Sequence, residues 1–260
     1  MNERIESLAN KTVSGEMYVY PVKTEYDRCD LFLPPIKMSG KRVCEYIRNQ
    51  EPLIVPESRF TGLLKFDGSV EGDIFGRTGH KNNRIACDYF YNRPVDNLLT
   101  FEWQHSVGNF GKIIAGGITG VKDEINKSIQ KHKEDENALQ FLETQSDICG
   151  AIIDWAKKCS KKALIVSECT NNTEYKKNLK RLSQALEFIP ENPANNFYEA
   201  VLSLYVCYGF IPDSIGLIDR YLYPFYKKDI ESGNLTKEEA SEYLQELFLM
   251  LQARIHISSD

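Results

Sequence analysis

The stretch SIGLIDRYLYPFYKKDI, Ser214–Ile230, decides how the chain is read. It sets four aromatic residues, Pro224 and the pair Asp219–Arg220 within seventeen positions, between an apolar run and two lysines. A surface helix spreads its charges along one side, and a plain core segment omits them. If Asp219 and Arg220 are buried, each needs a partner, because an isolated buried charge costs roughly several kcal/mol. Two roles then fit the residues equally. The pair ties the tyrosine-rich turn to neighbouring helices, or it stands with Ser214 on the wall of an interior cavity.

Around this stretch the pattern is helical from about Thr100 onward. Leu139, Leu142, Cys149, Ile152, Trp155 and Cys159 recur at spacings that make one apolar stripe. Leu179, Leu182, Leu186 and Ile189 make a second, which stops at Pro190. Asn196 with Glu199 predicts an N-terminal capping pair, and Thr236 with Glu239 a capping box. The last helix is expected to keep Leu244, Leu247, Phe248 and Leu251 on one side. The first hundred residues read as irregular, with a helix only at about Lys41–Asn49 and LIV between Pro52 and Pro56 as a short extended piece. The segment around His80 reads as loop. The fold class is therefore mainly α with a few short strands. The organisation is one unit over residues 1–260, with 1–40 as an irregular wrapping segment.

Composition narrows the function. With 260 residues, 42% apolar and 27% charged, the chain has enough apolar sequence for a core. A net charge of −5 argues against a nucleic-acid binder, and KKCSKK at Lys157–Lys162 fits a solvated helix end. The seven cysteines (Cys29, Cys44, Cys87, Cys149, Cys159, Cys169 and Cys207) show no C-x-x-C spacing and no disulfide framework. The N-terminal residues lack a signal or transit pattern. The most apolar window is interrupted by Pro212 and Asp213, which predicts no membrane span. These features point to the reducing cytoplasm.

Candidate chemistry is sparse. His105, in TFEWQHSVGNFGKIIAGGITG, could be a general acid or a hydrogen-bond donor to substrate, or a core histidine satisfied by a carbonyl. AGGITG has three glycines but lacks the Lys-Ser/Thr of a phosphate loop, so a close helix contact or turn is expected there. No metal-ligand spacing, paired carboxylates or nucleophile triad stands out.

The span Phe188–Leu249 resembles the N-terminal half of glycyl radical enzymes, the pyruvate formate-lyase-like superfamily. The matching residues are Pro190, Pro193, Ala194, Phe197, Glu199 and Ala200 in a first block. A second block has Ser214, Gly216, Asp219, Tyr221, Tyr223, Pro224 and Tyr226, and a third has Asp229, Gly233, Leu235, Thr236, Glu238, Glu239 and Ala240. Upstream, QHSVGNFGKIIAGGITGVKDEI and RVCEYIRNQEPLIVPESRFTGLL look like further family segments. The resemblance implies the N-terminal part of a ten-stranded α/β barrel, with the tyrosine-rich turn along its inside. By position, His105 and Ser214 match places where members with polar substrates hold them, and Asp219 and Arg220 lie beside them. Leu217 and Arg220 stand where the family usually has Arg and Gln, and Arg220 could restore the lost charge through a local polar contact.

The resemblance further implies a lyase or dehydratase acting on C–C, C–O or C–N bonds of a small polar metabolite. No catalytic residue, metal or bound cofactor is assigned within these residues. The glycyl radical and the thiyl cysteine are expected on loops beyond Asp260, so the 260 residues alone are expected to be inactive. The implied partners are a radical-activating iron–sulfur protein, the C-terminal half of the enzyme, or a second copy of this chain. A catalytically dead stand-alone relative serving as a binding or scaffold subunit is the alternative.

Overall fold

The computed structural model describes residues 3–14, 16–17, 28–62, 107–210 and 214–254. Eight helices form the described body: α1 (Glu3–Ser14), α2 (Pro35–Asn49), α3 (Phe110–Lys131), α4 (Glu136–Cys169), α5 (Thr173–Phe188), α6 (Phe197–Phe210), α7 (Ile218–Glu231) and α8 (Lys237–Arg254), with a short 3-10 turn at Arg28–Phe32. The expected strands do not appear among the described residues. The segment from Glu51 to Gly62 is a loop, closed by Gly62 N–H donating to the Leu53 carbonyl at 2.7 Å. Among the described residues, extended backbone meets extended backbone at one place, a single parallel bridge between Val107 and Ser214.

α6 is the axis of the body. Its sequence, FYEAVLSLYVCYGF, is apolar on every side, and a helix of that kind is stable only when covered all round. It packs against α3, α4, α7 and α8. Tyr198 donates to the Arg59 carbonyl at 2.7 Å, and Tyr205 donates to the Thr61 carbonyl. The loop before Gly62 is thereby strapped across α6, with the Phe60 ring 5.3 Å from that of Tyr205.

α4 and α5 form an antiparallel hairpin whose buried seam is polar at one point, where Ser160 donates to the Ser183 carbonyl at 2.7 Å. The two apolar stripes line this hairpin: Leu179, Leu182, Leu186 and Ile189 are fully buried, as are Trp155 and Cys159. α2 lies on α4 so closely at Gly40 that an added Cβ would sit 2.1 Å from Thr144 Cγ2. The end of α2 is closed by Lys158, whose ammonium donates to the Gln50 carbonyl at 3.0 Å and pairs with Glu51 at 2.8 Å. That arrangement places a cation where helix carbonyls lack partners.

Both capping pairs read from the sequence form. Glu239 N–H donates to Thr236 Oγ1 at 3.1 Å while Thr236 N–H donates to the Glu239 carboxylate at 3.0 Å. Glu199 N–H donates to Asn196 Oδ1 at 3.0 Å. Three local expectations change. α2 begins at Pro35, six residues before the expected start, because a proline in the first turn loses no hydrogen bond and is already set for helix. α1 makes the first residues helical where an irregular course was expected. On α8 the buried face carries Tyr243, Glu246, Leu247 and Met250, while Phe248 is exposed. Glu246 turns inward because Arg4 of α1 meets it at 2.6 Å, which rotates the apolar face away from Phe248.

α3 holds a kink that the glycine run makes possible. Gly117 has φ +68° and ψ 171°, a combination essentially restricted to glycine. The break frees two N–H groups that the Pro190–Glu191 backbone takes: Ile118 donates to Pro190 at 2.8 Å and Thr119 to Glu191 at 3.0 Å. The close contact expected of AGGITG is thus made to backbone.

Candidate functional site

The site is built where α3 and α7 begin. Val107 and Ser214 pair immediately ahead of these helices, and helices α3 to α6 form the crossover between them. A parallel pairing requires such a long connection. Ser214 is exposed, and its Oγ accepts from Gly216 N–H at 3.3 Å, leaving its own O–H proton free to donate. Gly216 takes φ +72°, which turns the chain into α7. Val107 and Leu217 are each 52% exposed, so the bridge lies at an uncovered edge of the described body.

Tyr221 lies half-buried against this edge. Its ring occupies the space over Gly111, where an added Cβ would sit 2.8 Å from Tyr221 Cδ1. At Gly216 an added Cβ would sit 2.7 Å from the Tyr221 hydroxyl and 2.5 Å from Val107 Cγ1. Neither glycine leaves room for a side chain.

Asp219 and Arg220 settle differently from the buried pair considered above. Both are exposed in the first turn of α7, and among the described residues neither side chain makes a hydrogen bond or ion pair. The local compensation suggested for Arg220 is therefore not made there. Leu222 takes the inward position of this turn, Tyr221 is half-buried, and Tyr223 and the charges are left to solvent. His105, His80 and His256 lie outside the described residues, as does the loop around His80. His132, the one described histidine, is exposed.

A carboxylate that the sequence did not single out as functional lies at the far end of α7. Asp229 is buried and accepts Phe197 N–H at 2.7 Å, so it caps the central helix α6 from α7. Gly233, with φ +73°, closes α7 as its N–H donates to the Ile230 carbonyl at 3.1 Å. The third family block is thus largely capping and packing.

The buried thiols are held neutral. Burial pushes Cys44 up to about 11 and Cys207 up to about 12, and Cys159 well above the usual thiol range. Cys29 and Cys169 are exposed. Among the described thiols, iodoacetamide at pH 8 is expected to label Cys29 and Cys169 promptly and Cys44, Cys159 and Cys207 only after denaturation, as read by peptide mass spectrometry. The unfolded chain releases these protons at lower pH than the folded one. The stability linked to the protonated Cys44 and Cys207 is therefore fully present below 9.0, where both states hold the proton, and is lost as pH rises from 9.0 toward 11–12. Among the described residues no group of three or more His, Cys, Asp or Glu could hold a metal ion, and no helix is long and apolar enough to cross a membrane.

The arrangement offers one free hydroxyl donor and two solvent-facing charges beside an extended pairing, which suits holding a polar ligand. The chain belongs to the pyruvate formate lyase-like family, whose model matches residues 98–260. It is 32% identical over 190 residues to isethionate sulfite-lyase of Oleidesulfovibrio alaskensis, an alignment covering 68% of this chain and 23% of that protein. It is 28% identical over 112 residues to the 4-hydroxyphenylacetate decarboxylase glycyl radical subunit of Clostridium scatologenes, covering 40% of this chain and 12% of the relative. The chain thus spans less than a quarter of the length of these curated relatives. A solved structure described as 1,2-propanediol dehydration in Roseburia inulinivorans superposes with a TM-score of 0.77 at 20% identity, over 97% of this chain and 40% of that one. That likeness shows the fold alone.

Proposed function

We propose that this chain is the N-terminal part of a glycyl radical lyase or dehydratase that cleaves a C–C, C–O or C–N bond in a small polar metabolite. The Val107–Ser214 bridge carries the proposal. It is parallel, it follows the helical crossover expected between strands of an α/β barrel, and its exposed edge suits further strands. His105 is tethered two residues before Val107, and Ser214 is Val107's partner. That pairing, two positions after His105 in sequence, supports the reading that His105 and Ser214 serve the same substrate. In this assignment their side chains hydrogen-bond the substrate's polar group, and Asp219 and Arg220 supply charge at the cavity rim.

The helical body would support one wall of the ten-stranded barrel. The cysteine and glycyl loops would come from the remainder of the full-length protein or from a separate C-terminal chain, and an iron–sulfur activating protein in the cytoplasm would generate the radical. The 260 residues by themselves would then show no radical chemistry. Capture of the native protein from its source under anaerobic conditions tests this. The expected product is well above 29.8 kDa, or holds a second chain, and gives a glycyl radical doublet by electron paramagnetic resonance after activation. A native product of 29.8 kDa with no associated chain and no radical signal would refute it.

A further inference from the structure

We infer that Tyr221 is a positioning residue for this wall: its ring, wedged between Gly111 and Gly216, holds the Ser214 segment in register against Val107. The inference rests on the wall proposed above and adds to it the part that fixes its geometry.

A single bridge supplies little register of its own, and a one-residue slip would turn Ser214 to the opposite face. Something else must set the alignment. The candidates are the groups that touch both segments at once, and Tyr221 is one of them. Tyr221 fills the space that side chains at Gly111 on α3 and Gly216 before α7 would need: a Cβ at Gly111 would sit 2.8 Å from ring Cδ1, and one at Gly216 would sit 2.7 Å from the hydroxyl oxygen and 3.5 Å from ring Cε2. The Gly216 position is flanked at 2.5 Å by Val107 Cγ1, so ring, turn and bridge form one contact. The Tyr221 main chain is fixed in the first turn of α7, where its N–H donates to the Leu217 carbonyl at 3.3 Å. Among the described residues the Tyr221 hydroxyl makes no hydrogen bond. Tyr221 positions by shape, its ring over Gly111 and its hydroxyl oxygen against Gly216, and not by a hydrogen bond.

Two readouts test this. In the 260-residue chain, hydrogen exchange is followed in peptides covering Gly108–Lys112 and Ser214–Ile218 for the parent, Tyr221→Ala and Tyr221→Phe. Tyr221→Ala is expected to speed exchange there by about tenfold while the α4–α5 hairpin is unchanged, and Tyr221→Phe, which keeps the ring over Gly111 and loses the oxygen against Gly216, is expected to rescue most of the effect. In the full-length protein activated anaerobically, Tyr221→Ala is expected to lower kcat/KM by about 100-fold, with rescue by Tyr221→Phe. Parent-like exchange in Tyr221→Ala, or a Tyr221→Phe variant as impaired as Tyr221→Ala, overturns the inference. An exchange result as expected in a native protein without radical activity leaves the positioning role standing and overturns the proposed function instead.

Discussion

Glu246→Ala is expected to destabilise the chain by about 3–5 kcal/mol, the range seen when one partner of a buried ion pair is removed. Glu246 is 0% exposed and accepts three hydrogen bonds: from Arg4 at 2.6 Å, from Ser58 Oγ at 2.8 Å and from Arg59 N–H at 2.6 Å. Its carboxylate thereby fastens α1, the loop that straps α6, and α8 to one another. Removal takes away the shortest ion pair of Arg4, which is only 5% exposed and keeps the Glu57 carbonyl at 3.1 Å and the Glu242 carboxylate at 3.5 Å, and breaks two further bonds. Glu242 is the control. It is 25% exposed, lies 3.5 Å from Arg4 and pairs with Arg59 at 2.9 Å, so Glu242→Ala is expected to cost less, about 1 kcal/mol or less for each of these pairs. Urea unfolding followed by circular dichroism measures both, and equal costs for the two variants would contradict this assignment.

The second large effect lies in α3. Gly117→Ala combines a backbone conformation that costs an L-residue about 1–3 kcal/mol with an approach of 2.5 Å between its Cβ and the Glu191 carbonyl oxygen. Main chain occupies that space, so no side-chain rotation relieves the clash. Relief requires separating α3 from the Pro190–Glu191 segment, with loss of the hydrogen bonds of Ile118 and Thr119. A total cost of about 3 kcal/mol or more is expected. Gly120, in the same helix, has nothing within 4 Å of an added Cβ. Gly120→Ala is therefore expected to be neutral or to stabilise by up to about 1 kcal/mol. Opposite signs in one helix, read by urea unfolding, separate close approach from helix propensity.

What was legible in the sequence was what is encoded locally. The Thr236–Glu239 capping box, the Asn196–Glu199 pair and the stripe from Leu179 to Ile189 each need only a few neighbouring residues, and each forms. Long-range features were not legible. α1 is fixed by a carboxylate 242 residues away, and no local signal announces that Arg4 will be buried. Asp229 caps a helix that begins 32 residues before it. The Asp219–Arg220 pair was weighed as buried because aromatic residues surround it in sequence. In space Leu222 turns inward, Tyr221 and Tyr226 are half-buried and the charges face outward, which periodicity over so short a turn does not decide. Strand pairing depends on distant partners, and the bridge joining Val107 to Ser214 has no signature in either segment alone.

The family resemblance identified the right class, and the structure adds what several of its residues do. Glu199, Asp229, Gly233, Thr236 and Glu239 cap or terminate helices. Gly216 and Tyr221 fit one another at the bridge. Much of the matched string therefore preserves the helical frame. The proposed substrate contacts rest on fewer positions, of which Ser214 is among the described residues.

A structure of the full-length native protein with its substrate bound is the most direct measurement. The proposed function predicts Ser214 Oγ and the His105 side chain within hydrogen-bonding distance of the same substrate molecule, with the Val107–Ser214 pairing continued into a sheet around it. Ser214 facing bulk water on the outside of the protein, with substrate bound elsewhere, would contradict it.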